Sequence, residues 1–311
     1  MDSLILGIIF SILAAFCWGS TVIIVKVVLR EQSPLGSIII RGFSAVAFIL
    51  MIIFFSGQMD SFGVLFQTDI FLLIIIGGIL NSLGEIVYFK AIKIGKASIV
   101  QVASSITPIF IASILLIGGI EIISIITIIG TIITVIGVGF VSQNNAKNNN
   151  NNNEEIDLKV YYISIFLSVS GAFLWGISLV ILRYTLEFPD INTYSLTALR
   201  FLISTIFTTM LWLIISIGNF KKDNKQQERK SISARNFIFL VCAGIMAWGI
   251  GSVAYFEAIR IIGISRASPI ASINPLITVI FGIIILKENL NKYQILGIII
   301  VIAGTIIVSI S

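Results

Sequence analysis

Apolar residues run along this chain in blocks of about 20, separated by short polar clusters, from Leu4 to Ile310. Wound as a helix at about 1.5 Å per residue, such a block crosses a hydrocarbon core of about 30 Å. Ten blocks occupy 4–25, 35–55, 70–89, 97–118, 122–141, 160–182, 193–217, 236–259, 267–286 and 293–310. The expected architecture is therefore all-α and membrane-integral, with ten transmembrane helices. The first block is too long for a secretory signal and lacks a basic leading segment, so it is expected to stay in the mature protein.

The blocks repeat. Ala15-Phe16-Cys17-Trp18-Gly19 returns as Ala172-Phe173-Leu174-Trp175-Gly176, at an offset of 157; Lys26 answers to Arg183 at that offset, and Arg41 to Arg200 after two extra residues in the intervening loop. Tyr88-Phe89-Lys90-Ala91-Ile92 matches Tyr255-Phe256-Glu257-Ala258-Ile259 at an offset of 167, and the same register pairs Pro108 with Pro275, Glu121 with Glu288, Gly130 with Gly297 and Gly137 with Gly304. The sequence divides into a first unit, 1–141, a linker, 142–159, and a second unit, 160–311. Each unit holds five blocks, an odd number, so the second runs through the membrane in the opposite sense to the first. Two inverted five-helix repeats with a site between them are a recurrent plan of secondary transporters. The linker, with its run Asn148 to Asn153 followed by Glu154, Glu155 and Asp157, cannot bury a core and reads as flexible.

Composition sharpens this picture. Hydrophobic residues make up 57% and charged residues 11%, against about a quarter charged in soluble domains. The net charge of +5 does not point to nucleic acid, because the basic residues lie singly in short loops or in the segment Lys221 to Arg235, as membrane-side markers do. No histidine is present, which removes histidine-ligated haem, mixed histidine zinc sites and histidine acid–base catalysis. No cofactor, no metal site and no enzymatic activity are expected, and without a GxxxxGK[ST] loop the chain does not itself hydrolyse ATP. Cys17 and Cys242 both fall inside blocks and are expected to be buried thiols, not a disulfide.

The candidate chemistry is polarity placed within the spans. Glu85 has Asn81 four residues before it and Tyr88 three after, all on one helix face. Ionisable groups at such depth cost about 2.5–3.5 kcal/mol each on insertion scales and default to paired or functional roles. For Glu85 these are snorkelling or pairing with a lysine, against a polar wall of a pathway. Arg41 and Arg200 lie six to eight residues inside their blocks and are read first as helix anchors that snorkel, with anion capture as the alternative. Pro108 and Pro275 lie about mid-span behind Ser104, Ser105 and Thr107, and behind Ser268, Ser272 and Asn274; they should bend their helices and release the carbonyls of Ser104 and Ala271. Gly130, Gly137, Gly297 and Gly304 suit close helix packing. Trp18, Trp175 and Trp248 sit inside spans, where interfacial anchoring explains them poorly.

Inversion adds geometry. Lys90 and Glu257, matched and opposite in charge, should face opposite membrane sides and not touch, whereas mid-span Asn81 and Glu85 can face their matches Trp248 and Ser252. The candidate substrate-binding residues are Asn81, Glu85, Tyr88, Ser104, Thr107, Trp248, Ser252, Tyr255, Ser272 and Asn274. A carboxylate-bearing wall opposite an aromatic one suits a cationic or zwitterionic organic solute with an apolar part, with Glu85 exchanging protons as coupling ions.

On the repeated Ala-Phe-x-Trp-Gly motif, Arg41 and Arg200, the Tyr88 motif and its copy, the paired prolines, and Glu121 and Glu288 opening the fifth helices, the chain resembles the EamA-type branch of the drug/metabolite transporter superfamily over essentially its whole length. The resemblance implies ten helices in two repeats and export or exchange of small metabolites across the cell membrane, through a cavity formed mainly by spans three, four, eight and nine, by a monomer or homodimer. The competing reading is a non-transporting membrane scaffold or assembly subunit; against a channel, no charge ring or filter sequence appears. On orientation two expectations stand side by side. The resemblance implies cytoplasmic termini, while outside the spans only Arg183, Arg260 and Arg266 lie on the side away from the other basic residues, which puts the termini outside.

Deletion of Asn149 to Asn152 is expected to leave the amount of protein in the membrane fraction unchanged, since low-complexity polar sequence contributes no buried surface. Loss of the shortened chain from that fraction would assign the linker a role in folding.

Overall fold

The computed structural model describes residues 3–118, 124–141, 158–222 and 232–310, and every regular element among them is helical. The Asn-rich run and Glu121 lie outside the described residues. Seven stretches are long and apolar enough to cross a bilayer. These are α1 (Ser3–Leu29), α2 (Pro34–Phe55), α3 (Thr68–Ile94), α4 (Ala97–Ser104) continued by α5 (Thr107–Ile117), α7 (Leu158–Thr185), α8 (Thr193–Lys222), and α9 (Ala234–Gly244) continued through a π-helical turn, Ile245–Gly251, into α10 (Ser252–Ile262). The chain is a multi-pass membrane protein. The other expected spans, 122–141, 267–286 and 293–310, fall on α6 (Ile125–Val141), on α11 (Ile264–Ala271) with α12 (Asn274–Ile285), and on α13 (Lys292–Ile310), whose apolar helical stretches are shorter.

Local sequence sets these boundaries. Ser33 caps α2, its hydroxyl accepting the Gly36 N–H at 3.2 Å with Pro34 in the first turn, and Ser233 caps α9 through the Asn236 N–H at 3.3 Å. Pro108 and Pro275 do more than bend their helices. Each occupies the start of a new helix, α5 or α12, after a break of two residues. A proline has no N–H to donate and its ring crowds the carbonyl four residues back, so the old helix ends and the new one begins on it. The Ser104 carbonyl left over at the first break accepts the Thr107 hydroxyl at 2.9 Å.

Small residues let the helices approach. A Cβ on Gly137 would lie 2.7 Å from the Val301 nitrogen and 2.9 Å from the Gly297 oxygen, and one on Gly304 would lie 2.7 Å from the Gly130 oxygen. The expected glycines thus form the seam between α6 and α13, where backbone meets backbone. Gly84 of α3 instead leaves room for the indole ring of Trp175 of α7, which lies 2.7 Å from where a Cβ would stand. The outward faces carry large exposed apolar side chains such as Phe55, Ile117 and Phe166, as a lipid-facing surface requires. Cys17 is buried as expected, but Cys242 lies on the outer face of α9 and is exposed; neither is in a disulfide.

Gly137→Ala is expected to destabilise the protein by about 1–3 kcal/mol through overpacking, read as a lowered unfolding temperature in detergent. Gly63→Ala, where an added Cβ meets nothing within 4 Å, should leave that temperature unchanged.

Candidate functional site

The inner faces of α1, α2, α3, α7, α8 and α10, with the two interrupted helices, surround a cavity of about 1000 Å³, counting the part open to solvent. All the candidate residues line it. Asn81, Glu85 and Tyr88 come from α3; Ser104 and Thr107 flank the first break; Trp248 stands on the π-helical turn; Ser252 and Tyr255 follow on α10; Ser272 lies in the second break and Asn274 opens the helix after it. Its walls also draw on α1, α2, α7 and α8, a wider set than the third and fourth helices of each repeat.

Arg41 and Arg200 do not snorkel. They are 4% and 2% exposed, because the helix faces that carry them turn towards the cavity and leave their side chains no route to an aqueous interface. Arg41 Nη1 lies 3.4 Å from Glu85 Oε2, and the other carboxylate oxygen accepts the Trp248 Nε1–H at 3.2 Å. The two walls expected to oppose one another thus meet directly. The charge of Glu85, expected to face a cationic solute, is paired within the protein with Arg41. Among the described residues, Lys90 and Glu257 form no ion pair with one another.

The π-helical turn explains how Trp248 arrives there. Its wider winding alters the backbone hydrogen-bond pattern, and the Ala247 carbonyl accepts the Trp18 Nε1–H at 3.0 Å and the Ser252 hydroxyl at 3.2 Å. Trp248 then stacks on Phe201 at 4.4 Å and 11°, and Phe201 lies 6.4 Å from Phe256 at 16°. Guanidinium groups close both ends of this aromatic row, Arg41 5.3 Å from the centre of Trp248 and Arg200 5.2 Å from that of Phe256. Arg41 also sits 4.9 Å over Phe89, the residue matched to Phe256.

A second network crosses between the broken helices. The Tyr88 hydroxyl bonds the Gln101 side-chain oxygen, and Gln101 Nε2–H donates to Asn274 Oδ1 at 2.7 Å. Tyr255 makes the corresponding bond to Ser268, and Asn81 Nδ2–H donates to Ser204 at 3.3 Å. Trp18 meets Tyr255, and Trp175 meets Tyr88, each pair with ring centres 4.9 Å apart.

Sequence reasoning left Gln101, Phe89, Phe201, Phe256, Trp18 and Trp175 out of the site. A signal existed for most of them: the repeated Trp-Gly and the phenylalanine following each motif tyrosine recur in the same order in both halves, as the arginines do. The charged residues lining the cavity are Arg41, Glu85 and Arg200, and no cluster of three metal-ligating side chains occurs among the described residues.

The chain matches the family model described as the EamA-like transporter family over residues 5–143 and again over 162–310. It is similar to an uncharacterized transporter of Archaeoglobus fulgidus, 22% identical over 305 residues, covering 97% of each chain. An uncharacterized transporter in a cobO 3′ region of Sinorhizobium sp is 26% identical over 107 residues, 34% of this chain and 75% of that one. A protein of known crystal structure shares the fold at 12% identity, with a TM-score of 0.69 over 98% of this chain and 96% of the other.

Glu85→Ala strands the Arg41 guanidinium without a counter-charge, and the expected cost is about 3–5 kcal/mol. Joined with Arg41→Met, the same change should recover most of that loss, because the pair is then replaced and not broken. Unfolding temperatures of the two single variants and the double variant complete the cycle; simple additivity would show that the pair is not coupled.

Proposed function

This chain belongs to the EamA-like transporter family, and on that premise we propose that it is a secondary carrier that moves a small organic solute by alternating access through the cavity. In this reading ten transmembrane helices form two inverted units, 1–141 and 160–311, joined by the segment 142–159, and the protein works in the cell membrane. The observation that carries it is the crossed pattern of contacts around the cavity. Trp18 and Trp175 are matched in sequence, as are Tyr88 and Tyr255, and each tryptophan contacts the tyrosine of the other half at the same 4.9 Å. Gly19 lies against Ile277 and Gly176 against its match Phe110, in each case with 2.9 Å between an added Cβ and the neighbour's Cβ. Equivalent contacts made across two halves are what a pseudo-twofold interface produces, and a site on that axis can open to either side as the halves rock. A scaffold subunit has no need of a polar cavity in that position.

Glu85 has a proton-coupling role in this scheme. Its carboxylate ties α2 to α3 through Arg41 and both to the π-helical turn through Trp248. Protonation removes the charge that holds Arg41 and weakens the tie, so the halves part more easily. The candidate residues from Asn81 to Asn274 then contact the solute as hydrogen-bonding and stacking groups.

Purified protein reconstituted in vesicles is expected to accumulate a solute saturably from a broad metabolite panel when a proton gradient is imposed. Glu85→Gln keeps the shape and one acceptor oxygen, so the variant should remain folded, at a lower unfolding temperature, while its transport falls at least tenfold or loses its pH dependence. Unchanged transport with an unchanged pH profile removes Glu85 from the mechanism, and inertness of the wild type to the panel favours the scaffold.

A further inference from the structure

Arg200 is a buried cation that no carboxylate answers among the described residues. Its match, Arg41, has Glu85; the position matching Glu85 is Ser252, whose hydroxyl is bonded to the Ala247 carbonyl. One edge of the Arg200 guanidinium is held, with Nη2 donating to the Ser178 carbonyl at 3.2 Å and to the Ser178 hydroxyl at 2.5 Å. Nε and Nη1 have no acceptor, although the residue is 2% exposed and lines the cavity. A guanidinium kept from water with idle N–H groups is costly unless an anion completes it.

We propose that Arg200 binds the carboxylate of the solute, and that the solute is a monocarboxylate with an apolar body. This assignment deepens the carrier reading and rests on it. With Arg41 neutralised by Glu85, the lining charges leave one positive charge over. A single carboxylate cancels that charge and accepts from an N–H group of the guanidinium that nothing else engages, whereas a doubly ionised phosphate would leave a buried negative charge behind. The remainder of the solute meets Phe256, Phe201, Tyr255 and Leu179, a wall that suits an aliphatic or aromatic group. An ammonium on the solute finds no unpaired carboxylate charge in the cavity lining, since Glu85 is already paired with Arg41.

Unfolding temperatures of the detergent-purified full chain, read with benzoate, phenylacetate and hexanoate, then with phenylacetamide, phenethylamine and inorganic phosphate, test this. At least one carboxylate should raise the temperature in a saturable way, and the amide, the amine and phosphate should not. Arg200→Gln should abolish the response. Ser252→Glu offers an internal carboxyl at the position matched to Glu85, and it should abolish the response while raising the unfolding temperature in the absence of ligand. An equal response to phenylacetamide, no response to any of the three carboxylates, or a full response in folded Arg200→Gln overturns the proposal. The wild-type comparison decides even if neither variant folds. Vesicles that accumulate a neutral or cationic solute, from a protein blind to carboxylates, would sink this inference and keep the carrier; carboxylate binding without movement of any solute would do the reverse.

Discussion

A charge inside a membrane-spanning helix must be answered within the protein, and the arrangement around the cavity follows from how each one is answered. Arg41 is paired with Glu85, and the other Glu85 oxygen accepts the Trp248 indole N–H that the π-helical turn at Ile245–Gly251 presents. The wider turn has its own requirement, since the Ala247 carbonyl takes the Trp18 indole and the Ser252 hydroxyl. One buried ion pair thus locates α1, α2, α3 and α10 relative to one another. Buried pairs of this kind contribute little net stability compared with apolar packing, yet breaking one is expensive. Such a pair specifies an arrangement more than it strengthens it.

Much of this was legible in the chain itself. Apolar block length located the long helices, since a span has a minimum length whatever its sequence. The paired prolines marked the two interruptions, because a missing N–H acts locally. Glu85, Asn81 and Tyr88 shared a face by helical spacing alone. The arginines were harder. Whether a long cationic side chain snorkels depends on which way its helix face turns, and that is settled by neighbours distant in sequence: Phe89 and Trp248 for Arg41, Ser178 and Phe256 for Arg200. The π-helical turn has no composition signature, being one extra residue in an otherwise ordinary run, and without it Trp248 could not be assigned to Glu85. Gln101 escaped notice because its role exists only once Tyr88 and Asn274 flank it.

Matched positions carry the frame and unmatched positions carry the chemistry. The glycines of the α6–α13 seam, the tryptophans over the tyrosines and the arginines over the phenylalanines all obey the register, and each is a matter of shape or stacking. The departures sit in the cavity: Glu85 against Ser252, Asn81 against Trp248, Gln101 against Ser268. A frame with equivalent halves gives two end states of comparable energy, which alternating access requires. A site with identical halves would offer a solute two equal poses and no preferred orientation. Placing a counter-ion beside one arginine and a serine at the matching position removes that degeneracy while leaving the frame intact. In the proposed carrier, the charge asymmetry is therefore the feature by which two equivalent halves would distinguish one end of a solute from the other.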